Sequence, residues 1–241
     1  MTHPEILNEN GKANVVLLCD HASNHIPEAY GNLGLTAKQM NEHIAWDIGA
    51  GEITRRLSEL VDAPAVLARH SRLIIDTNRT LEDPSLILLE SDGHAIPGNQ
   101  GINGAEHKKR FDNFYVPFHT ACDDIILSRL DAKPFVLAIH TFSPVYGGIS
   151  RELEFAVMWN KDDRLARKFG NDFEGHGFKV GWNQPYSGQE YFFSLDRHAG
   201  ERGLPHATLE VRNDLVRDKR GQEQFASLIA AAVHDVCFTG I

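Results

Sequence analysis

Residues 15–23 read VVLLCDHAS (Val15–Ser23): a short unbroken apolar run, then an aspartate, a histidine and small polar residues. A run this short and uniformly apolar reads as a strand buried on both faces, as in a parallel sheet. The switch to Asp20-His21 puts chemistry-bearing side chains at the strand's carboxyl end, where the crevice of an α/β fold lies. The pattern recurs in FVLAIHTFSP (Phe135–Pro144) and HATLEVRND (His206–Asp214), and a fourth run, SRLIIDTNR (Ser71–Arg79), ends in Asn-Arg. As strands of one sheet, these runs bring His21, His140, Glu210 and Arg79 to one site. That convergence predicts a hydrolase, metal-dependent because histidines and carboxylates dominate it.

Between these runs the pattern turns helical. Thr36-Ala-Lys-Gln39 matches a capping box and predicts a helix running to about Leu60, with Ile44, Ile48, Ile53 and Leu57 on its apolar face. Ala65–Ala68 and Leu73–Ile75 read as strands, paired as a hairpin. Leu86–Gly104 reads as a long loop of the kind that covers a site. Ala105–Leu130 reads as a helix that Pro117 kinks or divides. Phe135–His140, Phe155–Trp159 and Ala207–Val211 are further strands, and Asp162–Phe173 and Gln222–Cys237 further helices. Gly175–Gly203, rich in glycine and aromatics, reads as a second site loop or small hairpin. Strands alternating with helices predict an α/β single domain over residues 1–241: a mixed, mostly parallel sheet with helices on both faces.

The 241 residues suffice for one such domain. A net charge of −9, from 24 basic and 33 acidic residues, argues against a nucleic-acid surface or an anionic membrane as partner. No apolar run approaches the ~20 residues of a membrane span. Cys19, Cys122 and Cys237 form neither a CxxC pair nor a disulfide framework. With a polar N-terminus lacking an apolar signal core, that predicts a cytoplasmic protein. No motif specifies an oligomeric state.

Each candidate has a structural and a functional reading. His21 is either a turn histidine bonded to backbone or a metal ligand oriented by Asp20. His25 completes His-x-x-x-His, but Ile26-Pro27 follows at once, so it ranks second. Asp47 either faces solvent on the first helix or points into the site as a third ligand, and His43, one turn earlier, has the same alternatives. His140 ends its strand as a core histidine or a ligand. Glu210, a carboxylate inside an apolar strand, either pairs with Arg212 on the same face or acts as general base, with His206 assisting proton transfer. Arg79 offers a bidentate fork to a carboxylate, and Arg72 a fixed cation for an oxyanion. No G-x-S-x-G elbow, G-x-G-x-x-G or P-loop is present.

Cys19-Asp20-His21-Ala22-Ser23-Asn24-His25-Ile26-Pro27, Ile75-Asp76-Thr77-Asn78-Arg79, the His140 strand end and Leu209-Glu210-Val211-Arg212-Asn213-Asp214 together resemble the N-formylglutamate amidohydrolase family over nearly the whole chain. Several of these pieces are also similar to the zinc carboxypeptidase and aspartoacylase group. The resemblance implies a phosphorylase/hydrolase-like fold, Zn²⁺ or another divalent metal held by His21 and His140, and Glu210 as base. It further implies Arg72 as oxyanion helper and Asn78 with Arg79 as a clamp on a small-molecule carboxylate substrate. That group follows its first ligand histidine, three residues on, by glutamate; this chain has Asn24, and Asp47 is the replacement ligand. The expected reaction is hydrolysis of N-formyl-L-glutamate. Alternatives are another N-acyl amino acid, a small peptide, or a silent small-molecule binder of the same fold.

Overall fold

A computed structural model describes residues 3–190 and 193–241. In chain order, the strands and helices up to the middle of the chain are β1 (Glu5–Leu7), β2 (Val15–Cys19), α1 (Ala37–Met40), α2 (Ala50–Val61), β3 (Ala65–Leu67), β4 (Glu90–Ser91), β5 (His94–Ala95), α3 (Gly104–Arg110) and α4 (Val116–Leu127). The second half adds β6 (Phe135–Phe142), β7 (Val145–Tyr146), β8 (Ile149–Ser150), β9 (Phe155–Met158), α5 (Arg164–Gly175), β10 (Val180–Trp182), α6 (Phe193–His198), β11 (His206–Arg212) and α7 (Lys219–Thr239).

The main sheet runs β1-β3-β2-β6-β11-β9-β10. Pairings are parallel except at β1–β3 and β11–β9, so the sheet is mixed and mostly parallel. Strand alternation sends side chains to two layers. Leu17, Leu137, Ile139, Leu209 and Val211 pack with α2, α5 and α7, while Val16, Leu18, Val136 and Ala138 pack with α4 and Leu195 of α6. The α/β architecture read from the sequence is therefore the one found. The chain leaves β2 toward β3 on one side, and β6 lies on the other, so the β2–β6 boundary is a topological switch point where a crevice opens.

Two expectations are corrected. The helix from Thr36 to Leu60 is two helices, α1 and α2, although the Thr36–Gln39 capping box forms as read. Residues 41–49 form turns between them, ending at Gly49, the cap of α2, whose φ of 86° is left-handed and whose missing Cβ would lie 2.6 Å from the Val216 carbonyl oxygen. Leu73–Ile75 is buried but pairs with no strand. Asn99 Nδ2 donates to Leu73 O at 2.9 Å and Arg110 Nη1 to Ile74 O at 3.1 Å, so side chains satisfy the backbone that a ladder would have served. The helix over Ala105–Leu130 is divided near Pro117 as read: a π-turn at Phe111–Tyr115 joins α3 to α4 and absorbs the hydrogen bond Pro117 cannot donate. Within Leu86–Gly104 the short β4–β5 hairpin forms, and Gly175–Gly203 holds β10 and α6, with residues 191–192 outside the described residues.

A buried histidine under this layer sets an acid limit. His70 lies 3% exposed, with Nε2 donating to Ile75 O at 3.3 Å and its ring 5.0 Å from that of Phe114. Burial pushes it from 6.5 down to about 4. Between those values the unfolded chain binds a proton that the native state refuses, so stability is intact above 6.5 and falls toward 4. Urea titrations at pH 7 and pH 5 should show the wild type losing about 2 kcal/mol more than His70→Phe over that interval. Equal losses would remove His70 from the acid response.

Candidate active site

The central strands β2, β6 and β11 run parallel, and their carboxyl ends carry the chemistry. In register, Leu18 faces Ala138 and His140 faces Glu210, which sets Asp20-His21, His140 and Glu210 side by side. Asp47 joins them from the turn between α1 and α2, where its N–H donates to His21 O at 3.0 Å. It is 5% exposed, so the solvent-facing alternative falls.

His21, Asp47 and His140 are all buried, and their ligand atoms lie within 4.8 Å of one another. His140 Nδ1 is 2.8 Å and His21 Nδ1 3.6 Å from Asp47 Oδ2. Each imidazole turns its other nitrogen to a buried carboxylate: His21 Nε2 meets Asp76 Oδ1 at 2.7 Å and His140 Nε2 meets Asp20 Oδ2 at 3.5 Å. Such outer carboxylates fix the ring tautomer and leave the inner nitrogen's lone pair for a cation. The partner of Asp20 is thus His140, and Asp76 does for His21 what Asp20 was expected to do. Asp20 Oδ2 is sealed from solvent, and Ser194 Oγ bonds the other oxygen.

Two imidazoles and one carboxylate, backed by two more carboxylates, form a donor set suited to a divalent metal. A cation already meets it: Arg72 Nη2 donates to Asp47 Oδ1 at 2.8 Å and contacts His21 Nδ1. Burial works against charge on His140, but the bonds to Asp20 and Asp47 outweigh it and push its pKa up to about 10. Burial raises Asp47 despite its bond to His140. Together, the two groups hold a proton where a cation fits.

Glu210 is 7% exposed, and burial pushes its carboxyl from 4.5 to about 7 against the pull of His140. It is not neutralised by Arg212, which binds Asp214 at 2.8 Å and the carbonyls of Arg151, Glu152 and Leu153. The cavity in front of these groups measures about 370 Å³, and Asn78, Arg79, Ser85, Tyr146 and Tyr186 are among its walls. Asn78 Oδ1 accepts from Ser194 N at 3.1 Å, leaving its amide nitrogen as the unspent end. Arg79 is braced by Ser85 Oγ at 2.9 Å and Asn78 O at 2.7 Å, and Tyr115 Oη donates to Arg79 O at 2.8 Å.

Three other candidates fall away from this centre. His25 is exposed, and its backbone bonds Ser23 and Ser71. His43 stands in the cavity wall, 3.3 Å from Asp92, rather than among the ligands. His206 bonds Leu204 O at 2.7 Å at the start of β11, four residues or about 13 Å of strand from Glu210. Asn24 donates to Met40 O at 2.9 Å and serves the α1 turn. Sequence reasoning gave no role to Asp76, Ser194 or Tyr186. Asp76 had a signal, a carboxylate ending the run Leu73–Ile75; Ser194 had none.

No curated protein matches this sequence. Among solved structures, the gene product Atu2144 from Agrobacterium tumefaciens is 37% identical, superposes with a TM-score of 0.94, and is matched over 98% of this chain and 95% of its own. N-formylglutamate amidohydrolase from Ralstonia eutropha JMP134 shares the fold at 14% identity, with a TM-score of 0.76 over 99% of this chain and 98% of its own. Residues 13–217, which hold every donor and carboxylate described above, match the N-formylglutamate amidohydrolase family, and to that family the chain belongs.

Proposed function

We propose that this amidohydrolase cleaves the formyl amide of N-formyl-L-glutamate, or a closely related N-acyl acidic amino acid, with Zn²⁺ at His21, Asp47 and His140. The family acts on a non-peptide C–N bond. The observation that carries the finer reading is the pair of buried His–carboxylate units converging on Asp47 beside an unpaired Glu210.

A divalent ion held by His21, Asp47 and His140 would supply Lewis acidity and acidify water. Glu210, with a carboxyl near neutrality, takes a proton from the attacking water. Arg72 lies beside the ligands and stabilises the oxyanion that the former carbonyl oxygen becomes when water adds to its carbon. As the C–N bond breaks, Glu210 returns the proton to the departing nitrogen, giving formate and the free amino acid. Asn78 and Arg79 hold a substrate carboxylate meanwhile, by the fork geometry that guanidinium offers.

The purified chain should release formate from N-formyl-L-glutamate, stop when stripped by chelator, and recover with Zn²⁺. Release that survives chelation would overturn the metal assignment, and none under any condition would overturn the substrate.

A further inference from the structure

Arg151 follows the β7–β8 hairpin and is partly buried behind three residues of the cavity wall. The groups it bonds and the rings it lies over are neutral. Nη1 donates to Tyr186 Oη at 3.0 Å and reaches Ser143 O at 3.5 Å, and the guanidinium carbon lies 5.0 Å from the Tyr146 ring centre and 4.8 Å from that of Tyr186. Ser143, Tyr146 and Tyr186 all line the cavity. The cavity's own arginines already have tasks in the hydrolase reading: Arg72, bonded to Asp47, faces the oxyanion, and Arg79, braced by Ser85 and the Asn78 carbonyl with Asp83 3.7 Å away, takes one carboxylate.

A guanidinium tolerates stacking between aromatic rings because it is weakly hydrated, but removing it from water without a counter-charge is costly. The two rings and the Nη1 bonds restrict the guanidinium, so an anion arriving from the cavity meets a donor already ordered. The hydrolase reading assigns one carboxylate to Asn78 and Arg79, and a dicarboxylic substrate brings a second.

We propose that Arg151, held between Tyr146 and Tyr186, is the specificity-determining residue that receives the side-chain carboxylate of a dicarboxylic N-acyl amino acid. This rests on the hydrolase reading above for its substrate. A structural role in anchoring the hairpin would affect every substrate alike; charge recognition affects only the dicarboxylate.

The test compares N-formyl-L-glutamate with its neutral isostere N-formyl-L-glutamine, using zinc-loaded wild type, Arg151→Met, Arg151→Lys and Arg79→Met. Arg151→Met should lose about 10- to 100-fold in kcat/KM on the glutamate compound, the worth of a charged hydrogen bond, and stay within about two-fold of wild type on the glutamine compound. Arg151→Lys should recover part of the loss, and Arg79→Met should weaken both substrates. Equal losses on both substrates in Arg151→Met, or a wild type that does not prefer the dicarboxylate, would overturn the proposal. Calorimetry with glutarate and butyrate gives a readout free of turnover: glutarate should bind at least about ten-fold more tightly to wild type and lose that advantage in Arg151→Met. Glutarate selectivity without turnover would sustain Arg151 while sinking the hydrolase reading, and turnover without Arg151-dependent selectivity would do the reverse.

Discussion

Glu210→Gln should retain the proposed zinc and lose about 10²- to 10⁴-fold in turnover, the usual worth of a positioned general base. The substitution is nearly isosteric in a wall of β11 that is otherwise fully packed, so the loss reports chemistry rather than collapse. Glu210 shares a register position with His140 on the central strands, and Arg212 does not pair with it, because Arg212 is spent on Asp214 and three carbonyls. A carboxyl raised to about 7 by burial accepts a proton and gives it back at neutral pH, as the proposed reaction requires. Zinc content and kcat, measured on the same preparation, decide the matter. Lost zinc would make Glu210 a ligand, and unchanged kcat would remove it from the reaction.

Asp47→Asn should show a second large effect, on the metal itself. Asp47 Oδ2 lies 2.8 Å from His140 Nδ1 and 3.6 Å from His21 Nδ1, and no other described carboxylate joins both histidines in one ligand-sized cluster. An amide is a poor donor to zinc, so affinity in a chelator-competition titration should fall by more than the about 10- to 100-fold expected when an outer carboxylate such as Asp76 is changed to asparagine. Wild-type affinity in Asp47→Asn would take it out of the coordination shell. An Asp76→Asn loss as great as that of Asp47→Asn would erase the distinction between inner and outer carboxylates.

The sheet was legible because its central strands are buried on both faces and therefore read as continuous apolar runs. Residues at their carboxyl ends then meet whatever the loops do, which is why His21, His140 and Glu210 could be placed together from sequence. What failed was local. Leu73–Ile75 has a strand's composition, but its backbone is capped by Asn99 and Arg110, which are remote in sequence. Asp47 read as a helical residue because the periodicity of Ile44, Ile48 and Ile53 continues across residues 41–49, which are turns between the two helices. The pairing of Asp20 with His140 rather than with its neighbour His21 follows from strand register, which adjacency in sequence cannot reveal. Ser194, bonded to Asp20, Thr77 O and Asn78, looked like any other serine.

The contact of Gly49 with Val216 has a reach beyond the turn it terminates. Val216 ends the short 3₁₀ turn Asn213–Val216, which leads into α7, and Gly49 opens α2 two residues after Asp47. A methyl group at position 49 would have to displace that carbonyl, and the peptide that yields carries a proposed zinc donor with it. The far end of the polypeptide thus acts as a foundation for a coordination shell it never touches, so disturbances around Val216 should read out as weakened metal retention before they read out as unfolding.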